Sequence, residues 1–440
     1  MTSTKLLLLA TLVLYITTPN KYNYPYCLLG MCLFSVFFYM TLKNAHFTIA
    51  SFNVLFSLTF FGVTYLYPIF VYPVFPTFAF FSIGTINENI ITKATIFATL
   101  SYSFYAYFYI HSLNKYPITS NVALCRIVNK GQIKKIVLAL IIAYCVFISS
   151  GGLDMFKSDY SGQPITVNPL ASFVYVLFIS YTIFACIANR NINNKFLYLI
   201  VGLIAISILF TGSRTLPLRL LSILFVLLVD TYNISKKKII MMLVVGGITM
   251  SLVGQNRSEG TIERGELGAV ASAVDLIVCS RAYYEIYDYV NQYGITYGIT
   301  SSANILSVIP YAQSVFSNLF GIPGNHMRSD SFVTDLVLGH TNSTLGLGTH
   351  ISGDTYLAFG IVGTLTLFSF LGYYIVKWRY NSYQLGNWKS TVVYYTMISC
   401  AVFMTRSSFF LGLKDIVWVI CFTYLYRKAM PTHKKVEKIN

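Results

Sequence analysis

Charged residues are scarce in this sequence. Asp, Glu, Lys and Arg make up 10% of the 440 residues, whereas 55% are hydrophobic. A soluble globule of this size needs far more polar surface than the chain supplies. The composition therefore excludes a soluble fold and predicts that lipid solvates most of the chain.

Motifs for metals and disulfides are also missing. The eight cysteines show no CxxC or CxxxC spacing, and no histidine pair forms an HExxH motif. We therefore expect no metal, no disulfide framework and no cofactor. Residues 6–16 resemble the core of a signal peptide, but no A-x-A cleavage site follows, which predicts an uncleaved first helix.

Long apolar runs dominate the rest of the sequence. A membrane span needs about 20 apolar residues, and the pattern predicts an all-α integral membrane protein with about twelve transmembrane helices. We place these spans at 5–19, 25–42, 47–70, 90–112, 135–150, 168–188, 195–211, 214–232, 238–254, 354–376, 390–405 and 408–426.

The spans divide the chain into four parts. Residues 1–254 form an N-terminal block of about nine helices, and 354–427 form a C-terminal block of three. Between spans 9 and 10 lies one large loop, 255–353, and a basic tail follows at 428–440. Function is expected first in the large loop, because binding and catalytic residues concentrate on loops held by a rigid scaffold.

The basic residues are distributed unevenly across the predicted topology. With the N-terminus inside, the cytoplasmic side holds 20 of the 31 basic residues and two acidic ones, and the external side holds 11 and 13. This asymmetry follows the positive-inside rule and predicts cytoplasmic N- and C-termini. The net charge of +16 therefore reports topology, and nucleic-acid binding is not needed to explain it.

The large loop is expected to be partly helical. Residues 269–292 have a helix-like composition, in which Arg281 and Glu285 are four apart and share a face. The stretch 300–320 is weakly apolar, and we expect it to lie at the membrane surface or dip into it.

External arginines are the most informative residues, because guanidinium binds phosphate oxygens in a two-pronged geometry. Arg214 lies in a tight GSR turn at 212–214 that opens a span, and the free N–H groups of that helix end also favour an anion. Arg219 lies one turn deeper, where an unpaired charge is costly, so we expect a partner or a water-filled cavity there. Arg406 occupies the equivalent outer turn of the last hairpin.

Three segments together resemble the O-antigen polymerase (Wzy) family of inner-membrane enzymes. They are the GSR turn at 212–214, the segment GTHISGDTYLAFGIVG at 348–363 that enters the span after the loop, and Arg406 before the final span. The span pattern and the loop position match over nearly the whole length. Asp354 departs from the usual pattern, which has a glutamate at that position.

The resemblance implies a glycosyltransferase at the periplasmic face of the bacterial inner membrane. It would join undecaprenyl-diphosphate-linked oligosaccharide repeats, with a chain-length regulator as a partner. The candidate catalytic residues are then Arg214, Arg281 and Arg406, which would hold the diphosphate, with Glu285 as a candidate general base. The candidate substrate-binding residues are Arg257, Arg264, Arg328, His350, Asp354 and Tyr356.

The chemistry fits the residues independently of the resemblance. A sugar diphosphate leaves as an anion, so fixed positive charge can stabilise it without a metal, and the acceptor hydroxyl benefits from a general base. The sequence does not choose the base among the external candidates Glu285, Asp275, Asp354, His326, His340 and His350.

Two other functions remain open. A ligase that moves finished O-antigen onto lipid A core resembles this chain in span count and external loop, and differs in its acceptor. A lipid-linked oligosaccharide flippase or another transporter is less favoured, because the sequence has no evident internal repeat and its charges gather at the outer rim.

Overall fold

The structure is a computed structural model that describes ten stretches of the chain: residues 2–46, 48–76, 87–117, 127–153, 169–210, 215–232, 234–242, 246, 274–338 and 347–429. Every regular element in these stretches is a helix. The main ones are α1 (Thr2–Ile16), α2 (Tyr24–Asn44), α3 (Phe52–Tyr65, continued by a π-helical turn Leu66–Val71), α4 (Glu88–Lys115), α5 (Lys130–Ser149), α6 (Pro169–Asn189), α7 (Lys195–Leu209), α8 (Thr215–Tyr232), α9 (Val274–Tyr293), α10 (Ile299–Leu306), α11 (Ala312–Phe320), α12 (Ser329–Leu338), α13 (Ile351–Tyr383), α14 (Trp388–Met404) and α15 (Leu413–Ala429).

Six of these helices are long and apolar enough to cross a membrane. They lie at Tyr24–Asn44, Phe52–Val71, Lys130–Ser149, Ala171–Asn189, Thr215–Tyr232 and Ile351–Tyr383. Two shorter apolar helices occur at Ser3–Ile16 and Lys195–Leu209. The all-α class is confirmed for the described residues, and these six helices are candidates for membrane spans. The count of twelve spans and the periplasmic side of the loop stay predictions.

Asparagine begins several of the helices. The side chains of Asn23, Asn87, Asn194 and Asn387 each accept a hydrogen bond from a backbone N–H in the first turn that follows. These first-turn N–H groups have no partner within the helix, so a side-chain oxygen at this position stabilises the helix start.

The helices pack through aromatic and hydroxyl side chains. α4 lies at the centre, against α1, α2 and α13, while α14 packs on α3, α8 and α13. Tyr102 and Tyr65 pair their hydroxyls with Ser57 and Thr99 at 2.8 and 2.7 Å. Such bonds satisfy polar groups that no water can reach and hold neighbouring helices in register.

Helix α13 is interrupted at Gly360, whose φ of 69° and ψ of −166° are not helical. The carbonyls of Leu357 and Ala358 lose their intrahelical partners there and instead accept from the N–H groups of Thr296 and Gly298, at 2.8 and 2.9 Å. Residues 361–383 alone extend roughly 34 Å at 1.5 Å per residue, enough to span a bilayer. The preceding part, 351–359, is therefore a separate short helix. It lies beside the span, because the Phe60 ring is near both His350 and Phe368, at 5.0 and 6.2 Å.

Gly360→Ala is expected to destabilise the protein. A side chain at this backbone conformation costs about 1–3 kcal/mol, because the region is open essentially to glycine alone. Gly202→Ala is the matched control. Gly202 lies inside α7, and a Cβ at this position would have no heavy atom within 4 Å. Alanine is also more stable than glycine in the interior of a helix. Thermal unfolding in detergent should show a lower Tm for the first variant only, and equal Tm values would contradict the strained break.

Candidate functional site

The structure describes seven of the ten residues assigned to the site from the sequence. Arg214, Arg257 and Arg264 lie outside the described residues, as do His340 and the side chain of Asp275. The seven are Arg281, Glu285, Arg328, His350, Asp354, Tyr356 and Arg406.

Three segments that are distant in sequence meet at one end of the helix bundle. The N–H groups of Thr349 and Ile351 donate to the carbonyls of Arg406 and Thr405, at 3.1 and 3.0 Å. The Sγ of Cys279, on α9, donates to the Leu347 carbonyl at 3.7 Å. The start of α13 is thereby joined both to the turn before α15 and to α9.

Gly348 makes this close approach possible. Its φ is +69°, and a Cβ there would lie 3.0 Å from the Arg406 carbonyl oxygen and 3.1 Å from the Cys279 Sγ. A residue with a side chain would be both strained and crowded at this position.

Asp354 connects the segments from a completely buried position. Its carboxylate accepts from the hydroxyls of Ser329 and Ser408, at 2.5 and 3.0 Å, and from the N–H of Phe409 at 2.9 Å. It lies in the first turn of α13, where the helix dipole favours a negative charge. These contacts make Asp354 a positioning residue for the Arg406 turn and for the start of α12.

His350 is also completely buried and begins α13. Its Nδ1 accepts from the N–H of Ser352 at 3.0 Å, so its proton lies on Nε2, which donates to Thr64 Oγ1 at 2.9 Å. Burial lowers the pKa of His350 to about 3, and the ring stacks on Tyr283 at 4.7 Å. The side chain therefore stabilises the helix start and exposes no surface to solvent.

Tyr356 is nearly buried as well. Its ring stacks on Tyr287 at 4.9 Å, and its hydroxyl donates to Asn291 Oδ1 at 3.3 Å. His350, Asp354 and Tyr356 are thus all buried in this structure, and the direct substrate contact predicted for them from the sequence stays a prediction.

Arg281 and Glu285 form the expected pair on α9, with Nη2 and Oε1 3.4 Å apart. Arg281 is buried, and Glu285 keeps about a quarter of its side chain exposed. Burial raises the pKa of Glu285, and the charge of Arg281 partly offsets that rise. Because Arg281 follows Cys279 by two positions, it points about 200° around the helix from the Arg406 turn.

A second group of basic residues lies at the Arg406 side. Arg406 is half-buried over the Phe403 ring at 5.5 Å. Arg328 is exposed and donates to Asp330 through two nitrogens, at 3.0 and 2.6 Å, and Lys414 lies in the first turn of α15. Asp330 offsets the charge of Arg328, so the net positive charge of this group comes from Arg406 and Lys414, and it suits an anionic ligand.

The sequence predicts a partner or a water-filled cavity for Arg219, and the structure shows a partner, Asp415. The two side chains form a buried ion pair at 2.5 Å. Ser180 Oγ also donates to Asp415 at 3.3 Å, and Cys400 Sγ accepts from Arg219 at 3.4 Å. The pair joins α8 to the first turn of α15, the helix that follows the Arg406 turn in sequence.

Sequence reasoning missed Cys279, Ser329 and Ser408 as site residues. A serine that follows an arginine by one or two positions, as in Arg328-Ser329 and Arg406-Ser407-Ser408, is the only signal that points to the two serines. Within the described residues, no group of three His, Cys, Asp or Glu side chains is placed to hold a metal ion.

Comparison with known proteins supplies no relative. No family model matches the chain, and no curated protein or solved structure matches it.

Proposed function

We propose that this chain polymerises undecaprenyl-diphosphate-linked oligosaccharide repeats at the periplasmic face of the bacterial inner membrane. It would transfer the growing glycan from its lipid diphosphate onto the incoming lipid-linked unit. The N- and C-termini would then be cytoplasmic, and a chain-length regulator would act as a partner.

One observation supports the proposal most directly. Two of the segments that carry the resemblance, 348–363 and the turn at Arg406, are hydrogen-bonded to each other although the bonded residues are 54 and 57 positions apart in sequence. The third, the GSR turn, leads into α8, which Arg219 links to α15 through Asp415. A common site for these segments explains why such short motifs occur together.

The charge arrangement suits the proposed substrate. Transfer releases a diphosphate anion, and fixed guanidinium groups stabilise that charge as it develops. Arg406, Arg328 and Lys414 would contact phosphate at the outer edge, and Arg281 would act on the other side of α9. Asp354 would hold the Arg406 turn in place.

Glu285 is the candidate general base, because it is partly exposed and its pKa is raised. A base acts only when ionised, so lowering the pH should reduce activity at a higher pH than for an exposed glutamate. Glu285→Gln should lower the rate about 10²- to 10⁴-fold. Asp288→Asn removes a carboxylate that raises the pKa of Glu285 further, so it should keep activity and shift the acid limb to lower pH.

The pH profile of polymer formation in vesicles measures both effects. Wild-type activity in Glu285→Gln would exclude this residue as the base, whichever way the Asp288 variant behaves.

Deletion of the gene tests the function itself. In a host that makes smooth lipopolysaccharide of the matching type, a polymerase deletion leaves core carrying a single repeat. Bare core with polymer retained on the lipid carrier would identify the ligase instead. Bare core without external polymer would favour the flippase.

A further inference from the structure

A long uncharged segment emerges beside the candidate site. No Asp, Glu, Lys or Arg occurs from residue 289 to residue 327. About a quarter of the residues of ordinary globular domains are charged. A stretch of this length without one, running from the end of α9 to the start of α12, is therefore unusual for a surface that faces water.

The structure shows which side chains this segment leaves uncovered. Helix α11 contains no buried residue. Val315, Leu319 and Phe320 nevertheless expose 55%, 74% and 65% of their surfaces. Together with Phe316 they recur at spacings of three to five, which places them on one face of the helix. Ser314 lies on the opposite face and is also exposed.

The position of the segment indicates what covers this face. Gly298, just before α10, donates to the Ala358 carbonyl at the break in α13. The next residues of α13, Ile361 and Val362, are themselves exposed at the start of the spanning part. The apolar face of α11 therefore belongs to a part of the molecule that is anchored where α13 enters the membrane.

The side chains around it also suit a lipid surface. Tyr297 and Tyr311 are both largely exposed on either side of α10, and tyrosine is enriched where a membrane meets water. A protein partner would be expected to meet a charged or strongly polar rim, and residues 289–327 supply no charge for one.

We propose that α10 and α11, residues 299–320, form a helix pair that lies in the lipid interface, with Val315, Phe316, Leu319 and Phe320 among the acyl chains. The occupant of the exposed face is the bilayer on the side that carries α9 to α12. The helix pair is bound to the α13 break, so its immersion fixes the depth at which that break lies. This inference does not depend on the proposed activity.

Spin labels at two positions of α11 test the proposal. Leu319→Cys and Ser314→Cys are made in a chain whose exposed Cys32, Cys145 and Cys421, together with Cys125, are replaced by alanine. The remaining cysteines, Cys27, Cys186, Cys279 and Cys400, are buried. Each protein is labelled and reconstituted in vesicles of phosphatidylethanolamine and phosphatidylglycerol, and collisions with oxygen and with a water-soluble nickel chelate are measured.

The ratio of the oxygen collision rate to the nickel collision rate should be several-fold higher for the label at 319 than for the label at 314. Equal access of nickel to both labels would overturn the proposal, because the face would then be in water. Low access of both reagents at 319, with dipolar broadening between molecules, would also overturn it and would identify a second copy of the chain as the cover. Both substituted residues are exposed, so the variants should fold.

Discussion

Arg281→Ala is expected to abolish visible polymer while the protein remains in the membrane. Removal of one preorganised group that stabilises developing negative charge typically costs about 10²- to 10³-fold in rate. The buried guanidinium of Arg281 is held in orientation by the α9 scaffold and by Glu285, so the variant removes a preorganised positive charge. Banding of lipopolysaccharide on a gel measures the polymer, and membrane content is measured separately.

Two further variants sharpen this result. Arg281→Lys keeps the charge and loses the two-pronged geometry, so it should restore only part of the activity. Lys195→Ala removes an exposed basic residue at the opposite, cytoplasmic end of the predicted topology and should leave polymer unchanged. Wild-type polymer length in Arg281→Ala would show that this arginine does not bind the diphosphate. An unfolded variant would be recognised by its loss from the monodisperse peak in detergent.

Asp415→Ala should destabilise the protein by about 3–5 kcal/mol, the cost of leaving a buried charge without its partner. In the native protein Arg219 donates to Asp415 at 2.5 Å, and both side chains are at most 5% exposed. The variant removes the only carboxylate that the described structure places on Arg219. Thermal unfolding in detergent and the yield of folded protein measure the effect.

The double variant Arg219→Met with Asp415→Leu is the control for this prediction. It removes both charges and keeps most of the side-chain volume, and such replacements of buried pairs are often neutral or stabilising. We expect its Tm to recover most of the loss. A single variant as stable as the native protein would show that water, rather than Asp415, solvates Arg219.

Several features of the fold could be predicted from the sequence because they depend on local pattern. The helix predicted over 269–292 is seen as α9 from Val274 to Tyr293, and its Arg281–Glu285 pair follows from a spacing of four. The need for a partner at Arg219 followed from the cost of a charge inside a span. The third predicted span began too early: helix α3 starts at Phe52, after Ser51, rather than at 47.

Other features depend on which helices become neighbours, and no local pattern specifies that. Asp354 resembled a substrate ligand in the sequence, and the structure surrounds it with donors from Ser329, Ser408 and Phe409. The break at Gly360 could not be predicted from the sequence either, because glycine is common in membrane helices. The N–H groups of Thr296 and Gly298, which come from another part of the chain, compensate the carbonyls of Leu357 and Ala358.

The sequence by itself therefore determined the helical class and the apolar helices that suit a membrane, and it predicts their sidedness, because hydropathy and charge act residue by residue along the chain. It also determined that 289–327 carries no charge. The tertiary structure alone decided that Asp415 neutralises Arg219, that His350 is a buried helix start, and that α11 turns its apolar face outward. These outcomes depend on contacts between residues far apart in sequence, and packing selects such contacts only when all the helices are in place.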